Sequence, residues 1–160
     1  MSRAYGELRS RGLIRTGLIL LAVPSAAIAI WGLVSPHGFY RDFPGLGRHW
    51  VSALPPYNEH LLRDFAAANL TIALVLLGAA LFCERRLVQV AVVAFLVGTI
   101  PHFVYHLTTT DHYSTSDNLW SLGGFVVEMA LAIGVWWLTV RTPSRHEPMS
   151  ARLTGSAAGR

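Results

Sequence analysis

The sequence predicts an all-α fold, a four-helix transmembrane bundle with its N and C termini on the cytoplasmic side. Three observations point to it. The chain of 160 residues is 52% hydrophobic and only 14% charged, with a mean hydropathy of +0.43, which is too apolar for an ordinary water-soluble domain. It holds four apolar stretches of the roughly 20 residues needed to cross about 30 Å of hydrocarbon. Its formal charge of +4 comes from arginines, with no lysine, gathered mainly in the short flanks of those stretches. That pattern sets the orientation of a membrane protein. The length suits one compact unit.

Residues 1–12 read as a short basic N-terminus, and Leu13 to Val34 as the first span. Its apolar core exceeds the roughly 7 to 15 residues of a signal-peptide core, so an uncleaved helix is expected. Pro24 should kink it, because proline removes a backbone donor, and Arg15 should snorkel back to the surface. Residues 35–60 form an outer connection rich in Gly, Pro and aromatics. Phe39, Tyr40, Phe43, Trp50 and Tyr57 are types that settle where membrane meets water, so an ordered loop lying on the bilayer is expected, either as a lid or as an anchor.

Asn58, following Pro55 and Pro56, is placed to cap the second span, 61–82. Cys83 to Arg86 is a charged turn, followed by the third span at 87–107, a polar loop, and the fourth span at 117–140. Residues 141–160 form a polar tail whose composition predicts disorder.

Orientation follows from the arginines. Arg3, Arg9, Arg11, Arg15, Arg85, Arg86, Arg141, Arg145, Arg152 and Arg160 fall on one side, and only Arg41, Arg48 and Arg63 on the other. The first side is expected to be cytoplasmic. His37, His49, His60, His102, His106 and His112 then lie toward the extracytoplasmic face of a multi-pass cell-membrane protein.

Several chemistries are excluded. Without lysine the chain forms no Schiff base with a carbonyl substrate. A lone cysteine, Cys83, allows no intramolecular disulfide, no Cys-x-x-Cys redox pair and no covalent haem attachment; as a small hydrophobe it is expected to pack. The basic charge is a topology signal, so no nucleic-acid partner is expected, and the lipid bilayer is the partner implied.

Ionisable groups inside a span are costly and mark functional candidates. At the mouth of the second span stand Glu59, His60, Arg63 and Asp64, with Asn69 deeper. His60 and Asp64 share one helical face, and Glu59 and Arg63 another. The third span carries Thr99, His102 and His106 as an i, i+3, i+7 stripe, with Tyr105 alongside. The fourth carries Asp117, Ser121, Gly124 and Glu128. All three stripes lie in the outer half. If they face one another they line a polar pocket, with Asp64 and His102 about 5 to 8 Å below the outer surface and Asn69 and Glu128 at about 12 to 15 Å.

Three readings fit these residues. A transition metal or haem would be held by His60, Asp64, His102 and His106, since imidazole with carboxylate suits Zn, Cu, Fe or Ni; no Glu-x-x-His or His-Glu-x-x-His motif accompanies them. Acid and base chemistry on a lipid-like substrate, as in a membrane isomerase, would use Asp64, Glu128 and His102, with Trp31, Tyr105 and Trp120 flanking it. A structural network would pair Glu59 with Arg63, Asp64 with His60 or His102, and Glu128 with Asn69. The leading expectation is a binding or accessory membrane protein with this polar site. Proton-linked transport would need a homo-oligomer to complete a path.

The stretches FYRDFPGLGRHWV, PPYNEHLLRD and PHFVYH together resemble a group of small four-helix bacterial membrane proteins carried under domain-of-unknown-function names. The resemblance spans roughly residues 13–140 and implies the four-span fold without an activity.

Overall fold

The computed structural model describes residues 2–141, with side chains from residue 10 onward. The tail at 142–160, expected to be disordered, lies outside the described residues. The fold is all-α. Helix α1 runs Ser2–Val34, the short α2 Pro36–Asp42, α3 Glu59–Phe82, α4 Arg85–Thr108 and α5 Thr115–Arg141, with a 3-10 turn at Thr110–His112. Four of these helices are long and apolar enough to cross a membrane, over Ser10–Val34, Glu59–Phe82, Arg85–Thr108 and Thr115–Arg141. The basic segment 1–12 is helical from Ser2 on and continuous with the first span.

Local chemistry accounts for the boundaries. Asn58 Oδ1 accepts the Leu61 amide at 3.1 Å and caps α3. Cys83 ends that helix in the left-handed region at φ 51°, its amide donating to Ala79 O at 2.9 Å and its Sγ lying 3.8 Å from Arg11 O. Ser114 Oγ accepts the Asp117 amide at 3.1 Å at the start of α5, the geometry of a Ser-x-x-Asp cap. Pro24 and Pro101 sit inside α1 and α4, and both helices continue through them. Between α2 and α3 lies a minimal hairpin, with β1 at Pro44–Gly45 paired antiparallel to β2 at Arg48–His49. Its two-residue turn has φ of 58° at Leu46 and 73° at Gly47. Positive φ at both central residues matches the right-handed twist of the strands, which is why glycine serves at the second position.

The long helices pack through stripes that repeat every three or four residues, the spacing of knobs-into-holes contacts. The buried residues include Ile14, Leu18, Leu21 and Ser25 on α1, and Leu62, Ala66, Ala73, Leu76 and Ala80 on α3. On α4 they include Val88, Val92, Phe95 and Thr99, and on α5 Ser121, Ala132, Val135 and Thr139. Helix α1 packs most closely with α3 and also meets α5, while α4 meets α5 and α3. The continuous apolar core runs from Ile14 to Ala22 on α1, Leu76 to Ala80 on α3, Val88 to Phe95 on α4 and Ala132 to Val135 on α5. It therefore occupies the half of the molecule away from the 35–58 connection; the other half, the loop end, is built differently.

Arginines tie the helix ends together. Arg15 is exposed, and its Nε donates to Ala80 O at 2.9 Å and its Nη2 to Leu81 O at 3.4 Å, at the end of α3. Arg85 Nη2 donates to Val140 O at 3.4 Å at the end of α5, and Arg63 Nη1 to Leu33 O at 3.0 Å at the end of α1. Arg15 and Arg63 thus meet last-turn carbonyls of α3 and α1, which carry the negative end of a helix dipole.

Candidate functional site

On α4 the buried stripe Val88, Val92, Phe95, Thr99 continues in register to His102 and His106. Phe95 and Thr99 are 5% and 9% exposed, yet His102 is exposed. It is nonetheless flanked from both neighbouring helices, by Phe65 of α3 at a ring distance of 6.1 Å and Phe125 of α5 at 4.9 Å. His102 is thus touched from both sides while part of its ring stays uncovered by the described residues. His106, one turn on, stacks on Phe125 at 5.4 Å and on Tyr113 at 5.7 Å. The two imidazoles meet Nε2 to Nε2 at 3.2 Å. The Nδ1 atom of His106 is buried without a partner.

These ring contacts fix the relative depth of the helices. Thr99 precedes His102 by three residues, Glu128 follows Phe125 by three and Asn69 follows Phe65 by four, so at 1.5 Å per residue all three lie about one turn further into the molecule. Glu128 continues the α5 stripe of Ser121 and Phe125 toward Ala132. It is half-buried and has no hydrogen-bond or ion-pair partner among the described residues. Asn69 continues the α3 stripe between Ala66 and Ala73, and its Nδ2 donates back to Phe65 O at 2.9 Å instead of reaching Glu128. Thr99 donates to Phe95 O at 2.9 Å. Polar groups from three helices thus occupy stripe positions that, Thr139 apart, are apolar in the opposite half.

Other candidates sit elsewhere. His60 and Asp64 pair with each other at 3.0 Å and are 87% and 65% exposed. Asp64 lies about 200° around the helix from Leu62, which is buried against α1, and so on the exposed side of α3. The expected metal set of His60, Asp64, His102 and His106 is therefore not gathered, and among the described residues no group of three or more His, Cys, Asp or Glu side chains is placed to hold a metal. Glu59 and Arg63 form their i, i+4 pair at 2.8 Å, joined by Tyr57, whose hydroxyl donates to Glu59 at 3.3 Å. Tyr105 is half exposed beside His106 at 5.9 Å.

Asp117 serves the connection, not the α5 stripe. Its Oδ1 accepts from Arg48 and from Trp50 Nε1, the latter at 2.8 Å, and its Oδ2 accepts from Ser114 Oγ at 2.6 Å. Arg48 also donates to Ser116 at 3.2 Å, and Tyr113 donates its hydroxyl to Trp50 O at 3.1 Å. This clasp pins the hairpin to the start of α5 beside an open cleft of about 440 Å³. Burial, with a contribution from Tyr105, raises the Tyr113 phenol above its ordinary value. At the rim, a hydrogen bond from His112 holds the Asp111 carboxyl below the usual carboxylate range, and the adjoining Arg41 does the same for Asp42.

The His102/His106 stripe was visible in the sequence, but Phe65, Phe125 and Tyr113 that frame it were not, since nothing local distinguishes them from other membrane aromatics. No protein-family model, curated protein or solved structure matches the chain.

Proposed function

We propose that the chain crosses a cell membrane as a four-helix bundle with both termini cytoplasmic, and that it binds a small polar or lipid-like ligand in a chamber at its extracytoplasmic end. The chamber lies between α3, α4 and α5 and is lined by Asn69, Thr99, His102, His106 and Glu128. The observation that carries this reading is the exposure of His102 between Phe65 and Phe125 on a stripe that is otherwise closed. A structural network would have satisfied its members, because hydrocarbon offers no partners. Glu128 and His106 Nδ1 instead stand unmatched among the described residues. A carboxylate deep in the bundle and two imidazoles nearer its mouth form a polar receptacle within aromatic walls, the composition of a binding site.

Thiol labelling tests it. In a Cys83→Ser background, Leu46→Cys, Glu128→Cys and Val97→Cys are treated in intact cells with a membrane-impermeant maleimide. Leu46, fully exposed on the hairpin, should label and report the orientation. Glu128→Cys should label through the chamber, whereas Val97→Cys, 68% exposed toward lipid, should not. Equal silence of Glu128→Cys and Val97→Cys overturns the chamber.

A further inference from the structure

We propose that His102 and His106 bind one transition-metal ion, Zn2+ or Cu2+, as a two-histidine chelate whose remaining coordination positions open into the chamber. The inference rests on the chamber reading above and names what its outer part takes. The two histidines are four apart on α4, so their rings project from the same side of the helix. Their Nε2 atoms stand 3.2 Å apart and face one another. Metal to imidazole bonds are about 2.0 to 2.1 Å, so an ion equidistant from both nitrogens would subtend an angle of about 100°. That angle lies between square and tetrahedral geometry.

The rings are also held in place before any ion arrives. Phe125 packs against both, Phe65 against His102 and Tyr113 against His106. A purely structural role explains the pair poorly. An apolar residue at 106 would pack among the same rings without leaving a buried nitrogen unmatched. Imidazole donors suit Zn and Cu, whereas Mg2+ and Ca2+ require oxygen sets. With two protein ligands, the other positions are left to water or to the chamber's ligand. Such an arrangement makes an exchangeable metal site, unlike a closed structural one.

The test uses the full chain, carrying a purification tag without histidine, in detergent. Cu2+ and Zn2+ are titrated in, and the Cu2+ form is examined by electron paramagnetic resonance. One ion per chain is expected, with hyperfine splitting from two imidazole nitrogens. His102→Ala and His106→Ala should each weaken binding at least as much as loss of a ligand's supporting contact, about 10- to 100-fold. Asp64→Asn should bind as the wild type does, and Mg2+ should not bind. Wild-type affinity in the double variant, or a Cu2+ spectrum without two imidazole nitrogens, overturns the assignment. The spectrum of the unaltered chain decides the matter even if the variants fold poorly. Glu128→Cys labelling is read alongside. Labelling without metal binding removes the metal and keeps the chamber, whereas absence of labelling removes the chamber itself.

Discussion

A β-carbon on Gly32 would stand 2.8 Å from the Ala66 methyl, so α1 and α3 meet at this point with no side chain between them on the α1 side. Ala66 is fully buried and has no flexible end to move aside. Gly32→Ala gains up to about 1 kcal/mol in helix propensity but forces the helices apart, and overpacking of this kind costs about 1 to 3 kcal/mol. A net loss is expected. Gly78→Ala, with nothing within 4 Å of the new carbon, should be neutral or stabilising. Thermal unfolding of both variants in one detergent checks the opposed signs; equal melting temperatures would mean that the α1 and α3 contact yields.

Arg63 joins two groups, pairing with Glu59 at 2.8 Å and donating to Leu33 O at 3.0 Å. Its guanidinium is about half exposed, so the Glu59 pair is weak and the helix-end contact contributes most. Arg63→Ala should cost about 1 kcal/mol. Glu59→Gln should cost less, because the Leu33 bond survives. If the melting curves rank the other way, the ion pair dominates.

Removing the Asp117 carboxylate deprives Arg48, Trp50 and Ser114 of their common acceptor. Hydrogen bonds to charged groups contribute about 1.5 to 3 kcal/mol each, so Asp117→Ala should free the hairpin and raise its local opening at least roughly ten-fold. Trypsin cleavage after Arg48 reports this directly. Asp117→Asn, which keeps one acceptor oxygen, should fall between. An unchanged cleavage rate in Asp117→Ala would show that other contacts hold the loop.

Burial raises the Tyr113 phenol above 10.0, so the fold favours its neutral form. Its contribution to stability is fully present below pH 10.0 and is lost as pH rises through the higher value of the folded protein. Ultraviolet difference titration of wild type against Tyr113→Phe should therefore show the missing transition at the alkaline end of the tyrosine range. A missing transition at or below the ordinary phenol value would contradict the burial seen here.

The long helices were legible because their signal is a local sum: each apolar run states its own length, and Asn58 marks its own boundary. Stripe phase was legible only in part. The sequence aligns His102 with Thr99 and Glu128 with Ser121, but it does not say which face of α3 meets them. Asp64 therefore looked like a partner for His102, when Leu62 and Ala66 take the inner face and send His60 and Asp64 to the other side. Asp117 also looked like part of the α5 stripe. Its bonds to Arg48 and Trp50 span 69 and 67 residues, and no local pattern encodes such a pairing. The same holds for Arg15, exposed as expected, whose bond to a carbonyl 65 residues away no local pattern encodes.

That contact has a counterpart at the other end of the same helix pair. Arg15 on α1 donates to the carbonyl end of α3 at Ala80 and Leu81, and Arg63 on α3 donates to the carbonyl end of α1 at Leu33. Each helix thus closes the end of the other, with one donor at each end. Sliding one along the other by a single turn, about 5.4 Å, would break both contacts at once. The pair therefore carries a check on its own register.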